Sequence, residues 1–417
     1  MRLTEDAESR GAGLLFKVGA TGQSNQPTAS LALLEGKDRS LIWSKDFQQP
    51  SGQLADLQQQ VAFTAARVLG CALDGLAPGG DRLRPETLKL YLNACAKASE
   101  VANGDTRGVA AVFLEVIRDA PRFKPAWANL LLAEWPWDEP TRNRMRQHIA
   151  AARKLDPTMP EATLAEISLL PAGSFARAMM LIDRARDLSP QNPDVLFSRA
   201  SWLAEVGRLL ESVDDARRAA ALDPLSPATR NGYIATLTDA GQFDAAREEL
   251  QRAEQLWPGT KMILDAHYLF HFRAGDPKEA LRIAKSGGYR LGHTLFLEAR
   301  INPTEENFQR LKAWFDGRKA GGGGDISFIT QAYGVLGRDD DVFREYMTWP
   351  DRQAVSESAR TLFRPWVRGL RQQPRFMQVA KRVGVLDYWR LSGKWPDFCN
   401  EPGLPYDCKK EAAKLLS

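Results

Sequence analysis

Two histidines on one predicted helix have the spacing in this chain that comes closest to metal chemistry. His267 and His271 are four residues apart, so both imidazoles would project from one side of a helix and could share a metal ion. No glutamate follows the first histidine, no third ligand is near, and the neighbours Tyr268 and Phe270 are apolar. With only four histidines in the chain, we interpret the pair as packing or surface residues and predict no metal site.

The glycine run Gly321–Gly324 and two acidic pairs are further candidates for a functional site. A phosphate loop needs Gly-Lys-Ser/Thr at the start of a helix, whereas Asp325 follows here and would repel a phosphate, so we predict a flexible linker. The pairs Asp214-Asp215 and Glu248-Glu249 are predicted to lie on polar helix faces. Since no nucleophile elbow, kinase motif or dinucleotide-binding glycine pattern is present, we predict a protein that is not an enzyme and has no cofactor.

Cys399 and Cys408 are the informative cysteines. They enclose eight residues with two prolines and a glycine, which can bend back and close a disulfide. Such a short loop would contribute about 2–3 kcal/mol, and a disulfide would favour an oxidising compartment such as the periplasm. Free thiols and a zinc site that draws two ligands from elsewhere are the alternatives. Cys71 and Cys95 lie on predicted helices and indicate nothing further.

Charge is distributed unevenly. The chain has a net charge of +4, and residues 351–417 carry thirteen Lys/Arg against seven Asp/Glu. Within that region Arg364, Arg368 and Arg371 are spaced to form one stripe on a predicted cap helix, which is either a solvated face or a docking site for an acidic partner. Three arginines without accompanying aromatic residues are too few for nucleic acid, so we predict none is bound by this chain.

Prolines and glycines recur with a period close to 34 residues. Successive prolines are 36, 33, 34 and 34 residues apart, at Pro121, Pro157, Pro190, Pro224 and Pro258. The glycines are Gly104, Gly173, Gly207, Gly241 and Gly275, and successive members of the last four are 34 residues apart. Small residues recur in the same frame at Ala178, Ala246 and Ala280, and at Ala185, Ala219 and Ala253. The pattern therefore predicts that each repeat consists of a helix, a turn with glycine and a second helix. A small residue lies where the two helices cross, and proline ends the second helix.

This pattern, seen in GQFDAAREELQRAEQLWP from Gly241 to Pro258, resembles the tetratricopeptide repeat. The resemblance implies a mainly α protein, a right-handed α-solenoid whose concave wall is formed by the first helix of each repeat. Counting from the turn glycines, we predict that a partner is bound by the wall residues Phe197, Glu205, Asn231, Asp239, Asp265 and Arg273; the alternative is that these side chains are merely exposed. Trp127 and Trp135 occupy equivalent wall positions N-terminal to these residues, as anchors or as filling for the irregular repeat over residues 122–157.

The first part of the chain has a different pattern. AGLLFKVG, TASLALLEG and SLIWSKDF predict short antiparallel strands, and an amphipathic helix follows from Gln53 to Leu69. The order of LIWSKDF and ADLQQQVAFTAARVLG resembles the second half of a TolB amino-terminal-like domain, which in bacterial winged-helix and adenylate-cyclase-type regulators precedes tetratricopeptide repeats. PRFMQVAKRVG and YWRLSGKWPDFC resemble the terminal segment of the same proteins. The expectation is that the chain starts inside this domain, with an open sheet edge through which it self-associates.

The predicted organisation is a partial β-β-β-α domain over residues 1–77, a linker over 78–90, a repeat array over 91–286, degenerate repeats and a cap over 287–388, and an irregular tail over 389–417. We expect a non-catalytic interaction or sensor module from a transcriptional-regulator or signalling lineage, which binds a protein or peptide. The alternative is an assembly scaffold in envelope biogenesis or secretion. No apolar run is long enough to span a membrane. The expected location is periplasmic if an upstream anchor exists and cytoplasmic otherwise.

Overall fold

The computed structural model describes residues 13–23, 26–49, 54–77, 82–100, 107–134, 136, 138–287 and 291–415. Gly104 and Trp135 lie outside these residues. Two compact units are formed, one by Met1–Leu169 with Gln255–Lys261 and the other by Leu170–Glu254 with Met262–Ser417. The mainly α fold with a small sheet at its start, expected from the sequence, is confirmed.

The first unit begins with a three-stranded antiparallel meander in the order β1-β2-β3, formed by β1 Leu14–Gln23, β2 Gln26–Glu35 and β3 Leu41–Gln48. Alternate side chains along a strand point to the same face, and Leu31, Leu33, Trp43 and Phe47 are all buried. This face belongs to the same hydrophobic core as the helices that follow. The three predicted strands are therefore confirmed.

Helices α1 Leu54–Leu76 and α2 Pro85–Glu100 complete this core. Leu57, Val61, Ala65 and Val68 recur at helical spacing in α1 and are all buried, as the sequence predicts. A disulfide joins Cys71 of α1 to Cys95 of α2.

Four further helices follow in the first unit, α3 Arg107–Asp119, α4 Lys124–Ala133, α5 Glu139–Leu155 and α6 Pro160–Ser168. In the irregular repeat over residues 122–157, α5 begins at a defined residue without a turn glycine, because Asp138 caps the helix in a capping box with Thr141. Pro140 lies in the first turn of α5, where its missing N–H would have no partner in any case.

The second unit contains the most regular helix pairs. They are α7 Phe175–Leu188, α8 Pro193–Glu205, α9 Leu209–Leu222, α10 Pro227–Asp239, α11 Phe243–Leu256, α12 Lys261–Arg273 and α13 Pro277–Ser286, except that the last two residues of α11 and the first of α12 belong to the first unit. Gly173, Gly207 and Gly241 lie in turns with φ of 82°, 80° and 76°, a conformation that side chains with a Cβ rarely adopt. Gly275 also lies between helices. The predicted frame of turns is confirmed.

Small side chains allow the helices of these pairs to approach closely. Ala178, Ala185, Ala219, Ala246, Ala253 and Ala280, the residues picked out by the repeat frame, are at most 2% exposed. In the repeat that has serine in place of alanine, Ser212 is fully buried and donates to the carbonyl oxygen of Ala200 at 2.6 Å. A larger side chain at these positions would separate the helices.

The remaining helices of the second unit are α14 Leu291–Ile301, α15 Glu305–Ala320, α16 Ile326–Val335, α17 Asp339–Thr348, α18 Arg352–Glu357, α19 Arg368–Arg371, α20 Phe376–Val383, α21 Val385–Ser392 and α22 Cys408–Lys414. Short 3-10 helices cover Ala359–Phe363, Pro365–Val367 and Asp397–Asn400.

The predicted single cap helix carrying Arg364, Arg368 and Arg371 is wrong, because Pro365 cannot continue a helix from Phe363 and the chain turns there. For the same reason, the prediction that Arg364, Arg368 and Arg371 form one stripe on a helix is wrong. Arg364 and Arg371 are 9% and 5% exposed, whereas the side chain of Arg368 is 62% exposed. In the described part of the chain, the helices are too short or too polar to cross a membrane.

Candidate protein-binding surface

Three helices of the second unit carry the six predicted partner-binding residues. Phe197 and Glu205 lie on α8, Asn231 and Asp239 on α10, and Asp265 and Arg273 on α12. The structure divides them into two sets. Glu205, Asp239 and Arg273 are each the last residue of a helix, while the other three lie about one turn into their helices. Glu205 and Asp239 contact the segment 359–364, and Arg273 lies beside Asp239.

Asp239 is the centre of a buried ionic cluster. It is fully buried, and its Oδ2 accepts a hydrogen bond from Arg360 Nε at 2.6 Å. Arg364 Nε lies 3.0 Å and Arg273 Nη1 3.9 Å from Asp239 Oδ1. A carboxylate at a helix C-terminus is unfavourable because the helix dipole is negative there, so the three guanidinium groups offset both the burial and the dipole.

Glu205 contributes the second carboxylate of this cluster. It is half-buried, and its Oε2 accepts a hydrogen bond from the backbone N–H of Arg360 at 3.0 Å. The ends of α8 and α10 therefore hold the segment 359–364 through both its backbone and its side chains.

The two carboxylates have opposite pKa shifts. Burial raises the pKa of Asp239, but Arg364, Arg360 and Arg273 outweigh it and lower the pKa to about 2. For Glu205 burial dominates over the attraction of Arg360, and the pKa is raised to about 7. The cluster thus holds one fully ionised carboxylate and one that titrates near neutral pH.

The other predicted set keeps contact with solvent. The ring of Phe197 is 37% exposed and lies against Gly232 of the neighbouring helix α10, where a Cβ would come within 1.9 Å of it. Asn231 and Asp265 are half-buried. Because Gly232 has no side chain, the ring of Phe197 on α8 can lie directly against the backbone of α10.

The residues considered for catalysis or metal binding have structural partners. His267 pairs with Glu254 through Nδ1, and His271 Nδ1 accepts from the backbone N–H of Asp276 at 3.0 Å. Among the described residues, no group of three or more His, Cys, Asp or Glu is placed to hold a metal ion.

The prediction that both acidic pairs lie on polar faces is wrong for one member of each. Asp215 is 3% exposed and pairs with Arg199, and Glu249 is 8% exposed and pairs with Arg230 at 2.6 Å. Two arginines on the first helices of the repeats cause the difference, because each attracts its partner carboxylate into the space between helices.

Trp127 is half-buried and donates from its indole Nε1 to the carbonyl oxygen of Pro121 at 2.9 Å. Its ring packs edge-on against that of His148, with 6.3 Å between the centroids and 65° between the ring planes. These contacts are consistent with the filling of the irregular repeat.

All four cysteines are paired in the structure, as Cys71–Cys95 and Cys399–Cys408. Sequence reasoning missed the first pair. The available signal was that Cys71 lies ten residues after Val61 on a stretch of regular apolar spacing, so that it faces the core as Cys95 does.

Comparison with known proteins supports the repeat type. Over 78 residues the chain is 36% identical to a TPR repeat-containing thioredoxin of Arabidopsis thaliana, a match that covers 19% of this chain and 11% of that protein. No protein-family model matches the chain. The similarity and the helix pairs together support a tetratricopeptide-type protein and, in general terms, a module for protein interaction.

Proposed function

We propose that this chain is a non-catalytic module that binds an extended peptide of a partner protein along the inner faces of α8, α10 and α12. The observation that carries the proposal is the way the same wall holds residues 359–364. Glu205 accepts from the backbone N–H of Arg360, and Asp239 accepts from its side chain. A wall that binds one peptide segment in this way has the chemistry needed to bind a second one beside it.

The solvent-accessible half of the wall offers three different contacts. Phe197 provides an aromatic anchor, the side-chain amide of Asn231 can both donate to and accept from a peptide backbone, and Asp265 can pair with a cation. The expected ligand is therefore an extended segment that carries an apolar side chain one or two residues from a lysine or arginine.

Selection of displayed peptide libraries against the intact protein tests the proposal. Enriched peptides should share the apolar-basic pattern, and Phe197→Ala and Asn231→Ala should each weaken them about tenfold or more. Arg217→Ala is the matched control, since this arginine is exposed on the second helix α9 and pairs with Asp214 three residues earlier in the same helix. Peptides that bind all variants equally, or a selection that enriches nothing, would refute the proposal.

We further propose a regulatory or signalling setting for this module. The support is the sequence resemblance of LIWSKDF and its following helix to the TolB amino-terminal-like domain, together with the strand and helix order of the first unit. Reading the genomic DNA upstream in frame tests it, since a winged helix or a cyclase domain there is the expected result and an unrelated enzyme domain would contradict it.

A further inference from the structure

The two disulfides of this chain differ in their surroundings. Cys71 and Cys95 are 6% and 0% exposed and belong to the hydrophobic core of the first unit. Cys399 is partly exposed, and together with Cys408 it lines a surface depression of about 680 Å³ in the second unit. A thiol of another molecule can therefore approach the tail pair from solvent, whereas the core pair becomes accessible only when the first unit opens.

Helix α22, which begins at Cys408, buries little of its own surface. Of its seven residues Cys408 and Ala412 are buried, and both side chains are small. A hydrogen bond from Lys381 Nζ to the carbonyl oxygen of Leu415 at 2.7 Å links its end to α20. A helix this short is not stable in isolation, so its position depends on the covalent bond to Cys399.

The loop between the two tail cysteines is also weakly held. The hydroxyl of Tyr406 donates to the carbonyl oxygen of Arg371 at 2.7 Å. Glu401 lies 3.4 Å from Arg368, and both of these side chains are partly exposed to solvent. A single hydrogen bond and an exposed ion pair each contribute little to stability. The loop therefore depends on the disulfide as α22 does.

The segment that precedes Cys399 is anchored without the disulfide. Trp389 and Phe398 are 0% and 5% exposed. The backbone N–H of Asp397 donates to the carbonyl oxygen of Gly207 at 3.0 Å, in the turn before α9. The tail thus has two parts, one anchored by burial up to Phe398 and one that follows it and is anchored through the disulfide.

We propose that Cys399–Cys408 is a site of thiol–disulfide exchange with a dithiol, and that its reduction releases α22 from α20. The redox state of this pair then decides whether α22 covers α20. The site is separate from the peptide-binding wall at Phe197, Asn231 and Asp265, so the two proposals stand or fall independently.

The exchange proceeds in two steps. A thiolate of the dithiol attacks Cys399 Sγ, the more exposed of the two sulfur atoms, since Cys408 is 5% exposed. The S–S bond breaks, a mixed disulfide forms at Cys399, and Cys408 leaves as a thiolate. The second thiol of the dithiol then displaces Cys399. The dithiol is oxidised to a disulfide, and its two protons pass to the two cysteines.

Titration of the folded full chain with dithiothreitol, followed by alkylation and peptide mapping, tests the assignment. Cys399 and Cys408 should be alkylated at a dithiol concentration at least about tenfold lower than Cys71 and Cys95, which are the control within the same sample. A reduced protein of the Cys-X-X-Cys type, at equal concentration, distinguishes a protein reductant from a small dithiol, because faster reduction by the protein indicates that it docks at the depression.

Hydrogen exchange of the oxidised and reduced chains measures the release of α22. In the reduced chain residues 408–415 should exchange at least about tenfold faster, while residues 389–398 keep their native rates. The double variant Cys399→Ser with Cys408→Ser should show the same pattern without a reductant.

Three results would overturn the proposal. The first is alkylation of all four cysteines at the same dithiol concentration, and the second is a tail pair that stays oxidised until the protein unfolds. The third is native exchange of residues 408–415 in the reduced chain, which would show that contacts other than the disulfide hold α22.

Discussion

Arg360 donates its guanidinium Nε–H to the fully buried carboxylate of Asp239 at 2.6 Å, although 121 residues separate the two in the sequence. Removing the carboxylate would leave Arg273, Arg360 and Arg364 together without their common counter-charge. We expect Asp239→Asn to lower the free energy of unfolding by about 3–5 kcal/mol, as for other buried pairs broken on one side. Urea unfolding followed by circular dichroism measures this.

Asp244→Asn is the control for that variant, because the side chain of Asp244 is 92% exposed in its ion pair with Arg247. It should change the stability by less than about 1 kcal/mol. Equal stability of Asp239→Asn and the native chain would show that the segment 359–364 is not held by this cluster.

Glu205 predicts a specific pH dependence of stability. Its pKa is raised to about 7 from an ordinary value of 4.5, so the folded state binds its proton more tightly than the unfolded state does. The stability contributed by this proton is complete below pH 4.5 and is lost as the pH rises through 7. The isosteric variant Glu205→Gln should flatten the stability profile across this window, and it should be more stable than the native chain at pH 8 by about 1–3 kcal/mol.

Asp239 provides an internal contrast in the same experiment. Its pKa is lowered from 3.8 to about 2, so its contribution is present above pH 3.8 and is lost only as the pH falls towards 2. A native profile that is flat from pH 5 to 8, or a Glu205→Gln profile with the same slope as the native one, would show that Glu205 is ionised throughout.

Overpacking tests where the helices of each repeat cross. Ala219 and Ala253 are fully buried on α9 and α11, and a leucine at either position must force the helices apart. Ala219→Leu and Ala253→Leu should each destabilise the protein by about 1–3 kcal/mol. Gln251→Leu, at an exposed position of α11, is the matched control and should leave the thermal midpoint almost unchanged.

The success of the sequence in predicting the repeats has a local cause. A glycine at positive φ and a proline after a helix act within a few residues, so Gly207, Gly241, Pro190 and Pro224 fix the turns and helix ends without help from tertiary structure. The strands of the first unit could be predicted for the same reason, because the alternation of apolar residues in SLALL is a property of the strand itself.

The ionic cluster could not be predicted, because it depends on contacts across more than a hundred residues. The equivalent positions of Glu205, Asp239 and Arg273, each at the end of a first helix, follow from the 34-residue frame. These ends of the helices are covered because Arg360 and Arg364 pair with Asp239. The path of the segment that carries the two arginines is set by Pro365 and by tertiary packing. Periodicity within the array contains no information about which later segment covers it.

The two disulfides predict a dependence of stability on redox conditions. Mapping of peptides without reduction should recover Cys71 linked to Cys95 and Cys399 linked to Cys408 in protein prepared in an oxidising compartment. Replacing both tail cysteines by serine should lower the free energy of unfolding by about 2–3 kcal/mol, and replacing the other pair by about 3–4 kcal/mol because its loop is longer. Thiols that remain free under these conditions would contradict both pairings and the expectation of an oxidising compartment.

The sheet of the first unit predicts self-association. In the described structure β1 pairs with β2 on one side only, and Val18 in the middle of β1 is 58% exposed. An unpaired strand edge presents free N–H and C=O groups to a second copy of the chain. We expect light scattering to give a mass above that of the monomer for the native protein, and Val18→Lys to restore the monomer, because a charge on an edge strand opposes pairing.

Leu73→Lys, at a similarly exposed position of α1, is the control and should leave the mass of the native protein unchanged. A native mass equal to that of one chain, or dissociation by both variants alike, would exclude β1 as the contact.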